Sequence, residues 1–162
     1  MIALTILDLR LFMQELLKGS IFHPFEVRNV EIQTFTTFQI SGQLHKDFFL
    51  IEEQELLQRN YALWKEIQPF VFQMVKGSRL PKKLKLVLSF PKEEWHNVLP
   101  LEQQKQTSAL FLNLLYEHPK MTCTTGVALP SFTLDKTVEH LWDEFIQSFL
   151  QQHQLGVEKI FS

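Results

Sequence analysis

Five cations crowd into ten residues in the run Lys76-Gly77-Ser78-Arg79-Leu80-Pro81-Lys82-Lys83-Leu84-Lys85, with no acid among them. Guanidinium and ammonium groups presented by a basic loop after a helix end can hold phosphates by charge and by hydrogen bonding. Lys76, Arg79, Lys82, Lys83 and Lys85 are therefore the candidate anion-binding residues. The run also has an ordinary structural use. Lys76 would complement the carbonyl end of a helix, and Lys83 and Lys85 would keep the outer face of a strand wet. No base-stacking aromatic interleaves with these charges along the sequence, and a charge run is most often a solvated face. The solvated face is favoured, with nucleic acid or another phosphoanion as the second reading.

Other chemistry-bearing groups are sparser. Cys123 is the single cysteine, which excludes an internal disulfide and a cysteine-rich zinc site. A nucleophilic thiol needs a base or a positive field. Cys123 instead shares its phase with Met121 and Val127 on a core-facing side, the pattern of an inert thiol. His140, Asp143 and Glu144 stand three and four residues apart on the polar side of a helix, a spacing that suits a metal ion or an ordinary salt bridge. The remaining histidines are scattered and form no HExxH, so solvated groups are expected. His45-Lys46-Asp47 offers acid–base groups, or simply Asp47 as the cap of the next helix. Thr124-Thr125-Gly126 would line a small-molecule site, or mark a bulge or a close helix crossing. No Walker loop, GxGxxG or GxSxG occurs, and no cofactor or metal is implied. An enzyme would require groups such as His45, Asp47 and Cys123 to converge in one cleft.

The elements that position these groups follow from hydrophobic period. Residues 109–116 are apolar on both faces, which reads as a covered strand near the middle of a sheet. Glu117-His118-Pro119-Lys120 turns it into a second strand, 121–129. Leu134, Val138, Leu141, Trp142, Phe145 and Phe149 then recur at helical steps. Ile2–Leu7 reads as a first strand, and Asp8 caps a helix that stops at Gly19. A second hairpin spans about Phe25 to Lys46, with its phase broken near Asn29 as a bulge would break it. Residues 47–77 read as mainly helical, broken at Pro69, with a second short helix over 70–76. Leu84, Leu86, Leu88 and Phe90 alternate as a strand; Pro91 opens a brief helix with Trp95, and 101–107 reads as a link.

The chain has 162 residues and a net charge of -2, so no global field selects nucleic acid or an anionic membrane. One domain over 1–162 is expected, since that length buries roughly 70% of the unfolded surface. The first ten residues lack the basic flank of a secretory signal, and no apolar run approaches the ~18 residues of a membrane span. Fifteen phenylalanines against two tyrosines point to packing, because phenylalanine has no polar handle.

The stretches TTFQISGQLHKDFF (36–49), IQPFVFQMVKGSRLP (67–81), LFLNLLYE (110–117), TCTTGVALPSFTLDK (122–136) and LWDEF (141–145) run in order across most of the chain. In them the chain resembles a family of uncharacterised proteins of clostridia and related Firmicutes. The resemblance implies a bacterial, cytoplasmic protein and supplies no activity and no site residues.

The fold expected is α+β, a mainly antiparallel sheet of about six strands built around two hairpins, with helices packed on it. The leading functional expectation is a non-catalytic intracellular interaction or scaffold domain. It would bind a protein partner, itself included, through a sheet edge or an exposed aromatic patch. Binding of nucleic acid or a phosphoanion through 76–85 comes second, and an enzyme with a cryptic site third.

Overall fold

The computed structural model describes residues 1–77 and 79–161, the last by its backbone; Ser78 of the basic run lies outside them. Seven strands form one antiparallel sheet: β1 Ala3–Ile6, β2 Glu26–Gln33, β3 Thr37–Ser41, β4 Lys83–Ser89, β5 Ala109–Glu117, β6 Lys120–Ala128 and β7 Val157–Phe161. Their order is β3-β2-β4-β5-β6-β1-β7, so the apolar strand β5 is central as its sequence requires. Five α-helices are α1 Leu9–Leu17, α2 Ile51–Leu56, α3 Trp64–Val75, α4 Leu101–Lys105 and α5 Thr137–Gln152. This is the α+β sheet expected, with one strand more. The seventh strand, VEKIF, alternates over only five residues and carries Glu158 and Lys159, as an edge strand can.

The helices α1, α3 and α5 cover one face. Along β5, Leu110, Leu112 and Leu114 are fully buried while Phe111, Asn113 and Leu115 are half-buried, so the strand is covered well on one side only. Beneath α5 lies an aromatic cluster. Phe22 meets Phe12 at 5.5 Å and Phe149 at 5.7 Å, Phe25 meets Phe90 at 5.5 Å, and Trp142 stacks on Phe145 at 5.6 Å between centroids. Such offset pairs add to the area burial of the rings.

Local signals read in the sequence act where expected in several places. Asp8 accepts a hydrogen bond from Leu11 N–H at 3.0 Å and caps α1. The β2–β4 register slips between Val27 and Asn29, so a bulge sits at Arg28 and throws that side chain onto the outer face. Besides the cover of β5, expected on both faces and found on one, three expectations need correction. Pro69 does not break the chain but lies inside α3. Trp64, Gln68 and Val71 are buried on either side of it, and Trp64 Nε1 and Gln68 Nε2 both donate to Leu16 O at 2.9 Å. That anchorage outweighs the lost backbone bond. The real interruption is Leu57–Leu63, where the chain returns to pair Gln43 with Tyr61 and Glu26 with Leu63. Leu134 stands exposed before α5, and the expected link at 101–107 contains α4. Among the described residues no helix is long and apolar enough to cross a membrane.

Candidate functional site

The tip of the β2–β3 hairpin and the end of α3 enclose a groove of about 570 Å³. The hairpin turn contributes Phe35 and the start of β3 contributes Phe38, and their rings meet edge to face at 6.1 Å. The helix contributes Phe70 and Met74, and the chain beyond it Lys76 and Arg79. Phe35 is 92% exposed and Phe70 62%, so the groove is walled by rings that pack on little else. The helix leaves through Gly77 at φ +144, a conformation that side chains rarely adopt, with open space where a Cβ would sit. Lys76 and Gly77 at that exit, and Arg79 beyond it, line the groove.

The five candidate cations divide here. Lys76, Arg79 and Lys82 are exposed, the first two on the groove itself, and Lys82 N–H ties the run to Gln33 O at 2.7 Å. Lys83 is instead bound to Glu31, Nζ to carboxylate 3.2 Å. Lys85 lies directly opposite Glu31 in the β2–β4 ladder. The Lys83 hydrogen bond holds the Glu31 carboxyl below the usual range, with Gln39 and the charge of Lys85 adding to it. Lys83 is therefore taken up within the sheet and Lys85 stands exposed on β4, off the groove lining, which leaves Lys76, Arg79 and Lys82 as the three exposed cations ahead of that strand. The sequence offered no aromatic interleaved with the charges because the aromatics come from elsewhere in the chain, across the groove. A phenylalanine in a hairpin turn, out of phase with both strands, is the signal that would have found Phe35.

The segment His45–Gln58, between β3 and α3, is the second unusual surface. It holds a 3-10 turn, Lys46–Phe48, and the six residues of α2, and none of its residues is buried. Asp47 lies inside that turn and caps no helix, which corrects the structural role expected of it. His45 and Asp47 are exposed, whereas Cys123 is fully buried in β6. Burial pushes the Cys123 thiol up to about 12, the opposite of an activated nucleophile. These three groups do not converge.

Asp143 departs from its expected place on the polar side of α5. It is buried, accepts a hydrogen bond from Thr125 Oγ1, and lies 3.4 Å from the Met1 ammonium, while His140 and Glu144 face solvent. Among the described residues no three His, Cys, Asp or Glu groups are placed to hold a metal ion. Thr125 thus serves the α5 contact, and Gly126 pairs in regular register with Phe111 on the outer face, with no bulge.

One polar cluster escaped the sequence altogether. The Arg28 guanidinium lies 3.9 Å from the Tyr61 ring and 5.2 Å from that of Phe111, donating to Ser89 Oγ at 3.0 Å and Tyr61 Oη at 3.1 Å. Burial, and then Glu93, raise the Glu26 carboxyl nearby. The cavity there holds about 180 Å³, below the ~300 Å³ where small-molecule sites begin. Arg28 is a clamp on the open face of the sheet.

The chain belongs to a family of unknown function, DUF5721, whose model matches residues 15–158. This agrees with the resemblance to uncharacterised proteins, and the matched residues include both the groove and the segment His45–Gln58. No curated protein and no solved structure matches the chain.

Proposed function

We propose that the chain is a non-catalytic interaction domain whose groove takes an apolar, acidic protein segment. The observation that carries this reading is the pair of exposed rings, Phe35 and Phe70, walling a groove edged by Lys76 and Arg79. Covering each ring is worth about 1.5–3 kcal/mol, whereas an exposed ion pair contributes at most ~1 kcal/mol. The apolar wall therefore sets affinity, and the cations select the sign of the partner's charge. A bacterial, cytoplasmic setting accompanies this reading and rests on the resemblance alone.

The test is affinity capture with the parent chain and a Phe35→Ser/Phe70→Ser variant of unchanged circular dichroism. A protein held by the parent and lost by the variant supports the groove as the binding site. Equal retention would remove it.

Nucleic acid remains the second reading, because the same rings offer stacking faces beside cations. Three neutralised phosphates would give a log-log salt slope of about -2.7 on duplex DNA. Anisotropy of labelled DNA and RNA at two salt concentrations checks it. A slope that stays put in Lys76→Glu/Arg79→Glu excludes these residues from nucleic-acid contact.

A further inference from the structure

The groove and the segment His45–Gln58 are both exposed and apolar, and they carry opposite charge. The segment forms an arm with a tight neck. Leu44 N–H donates to Asn60 O at 2.9 Å and Ala62 N–H to Gly42 O at 2.7 Å. At Gly42 a Cβ would fall 1.7 Å from Val27 O, so only glycine lets the neck close this tightly on β2. Beyond the neck Phe48 is 86% exposed and Leu56 81%, with Leu50 and Ile51 open beside them. Residues 46–57 carry Asp47, Glu52, Glu53 and Glu55 against Lys46, a net charge of -3. A six-residue helix has little stability of its own, since isolated helices shorter than ~12–15 residues are marginal and depend on packing. Here α2 packs no residue into the core.

We infer that this arm docks into the groove of a second copy of the chain. Phe48, Leu50, Ile51 and Leu56 meet the walls formed by Phe35, Phe38 and Phe70, and Glu52, Glu53 and Glu55 meet Lys76, Arg79 and Lys82. The inference rests on the interaction reading above and names its partner. The arm does not serve its own groove: it leaves the body beside the first residue of α3, whereas the groove lies at the far end of that helix. Twelve helical residues span about 18 Å. No arm residue lines the groove. The contact joins two different patches; reciprocated between two copies, it closes as a two-fold dimer.

The experiment is sedimentation equilibrium of the full chain across micromolar concentrations at low and high salt, with two charge-reversed variants. A mass rising above 19.2 kDa with concentration, and falling back with salt, is expected. Glu52→Lys/Glu53→Lys and Lys76→Glu/Arg79→Glu should each associate about tenfold more weakly, and mixing the two should restore association by pairing reversed arm with reversed groove. A parent chain that stays at 19.2 kDa, or two variants that do not rescue each other, overturns the inference. A labelled peptide of residues 46–57 separates this failure from that of the wider reading. If the chain is monomeric but the peptide binds and Lys76→Glu/Arg79→Glu abolishes its binding, the groove takes an acidic apolar segment from another protein. If the peptide does not bind either, both readings fall. Labelled single-stranded DNA bound by a monomeric chain would give the groove to nucleic acid.

Discussion

Two groups of phenylalanines stand in contrast in this chain. Phe12, Phe22, Phe25, Phe90, Phe145 and Phe149 touch one another under α5, around Trp142. Phe35, Phe48 and Phe70 stand in water, in the groove and on the arm. The residue type is the same, so hydrophobicity alone does not distinguish the groups. What differs is phase. The inner rings continue a helical or strand period, or sit where a loop crosses the sheet; the outer ones occupy a turn, a 3-10 segment and the free side of α3. Rings placed where the local period offers them no core, and gathered in the groove and on the arm, are the ones the proposed docking would cover.

Substitutions that cut into one group and spare the other sharpen this contrast. The largest effect is expected from Phe22→Ala, which removes a fully buried ring touching Phe12, Phe25 and Phe149. Urea unfolding should show a loss of about 3–5 kcal/mol. A loss near zero would mean that the cluster is as dispensable as the surface rings. Next is Thr34→Val. Thr34 lies under the groove, and among the described residues its Oγ1 is buried without a hydrogen-bond partner. Replacing that hydroxyl by a methyl should raise the unfolding free energy by about 1 kcal/mol, read as a higher urea midpoint.

A smaller effect, dependent on pH, is expected at Glu26, which stands between the buried and exposed zones. Its folded pKa is raised above 4.5, first by burial and then by Glu93. The folded state therefore holds its proton more tightly than the unfolded chain, and ionisation costs stability as pH rises through the folded value. Measured against the parent, Glu26→Gln should become relatively more stable from pH 4 to pH 7. A pH-independent difference would show that the carboxylate is well hydrated. The smallest change in stability belongs to Phe35→Ala and Phe70→Ala, each within about 0.5 kcal/mol of the parent. Their consequence should appear in binding instead, as weaker capture or weaker self-association.

Sequence period carried much of the fold. The two hairpins, the Asp8 cap and the bulge beside Asn29 all follow from alternation and a few polar residues, because each is decided within a few residues of itself. Pro69 was misread because its local penalty is real. Long-range contacts offset it, among them the bonds from Trp64 and Gln68 to Leu16 O and the burial of Val71. The strand β7 was missed because five residues with two charges make a weak period, and pairing with β1 decides it. The basic run was legible as charge but not as a site. Its sorting into sheet-bound Lys83 and groove-edging Lys76 and Arg79 depends on Glu31 and Phe35, both more than forty residues away.

The place of β1 between β6 and β7 has a mechanical consequence. Ala3 lies opposite Phe161 and Ile6 opposite Val157. The polypeptide therefore enters and leaves the sheet at the same corner, along antiparallel neighbours. Tension applied through both ends loads their hydrogen bonds one at a time, like a zipper, rather than sharing the force among them in shear. The outermost strand would peel away at low force. Its partner would stay anchored to β6, and the helices and aromatic cluster would feel the pull only after that seam had opened.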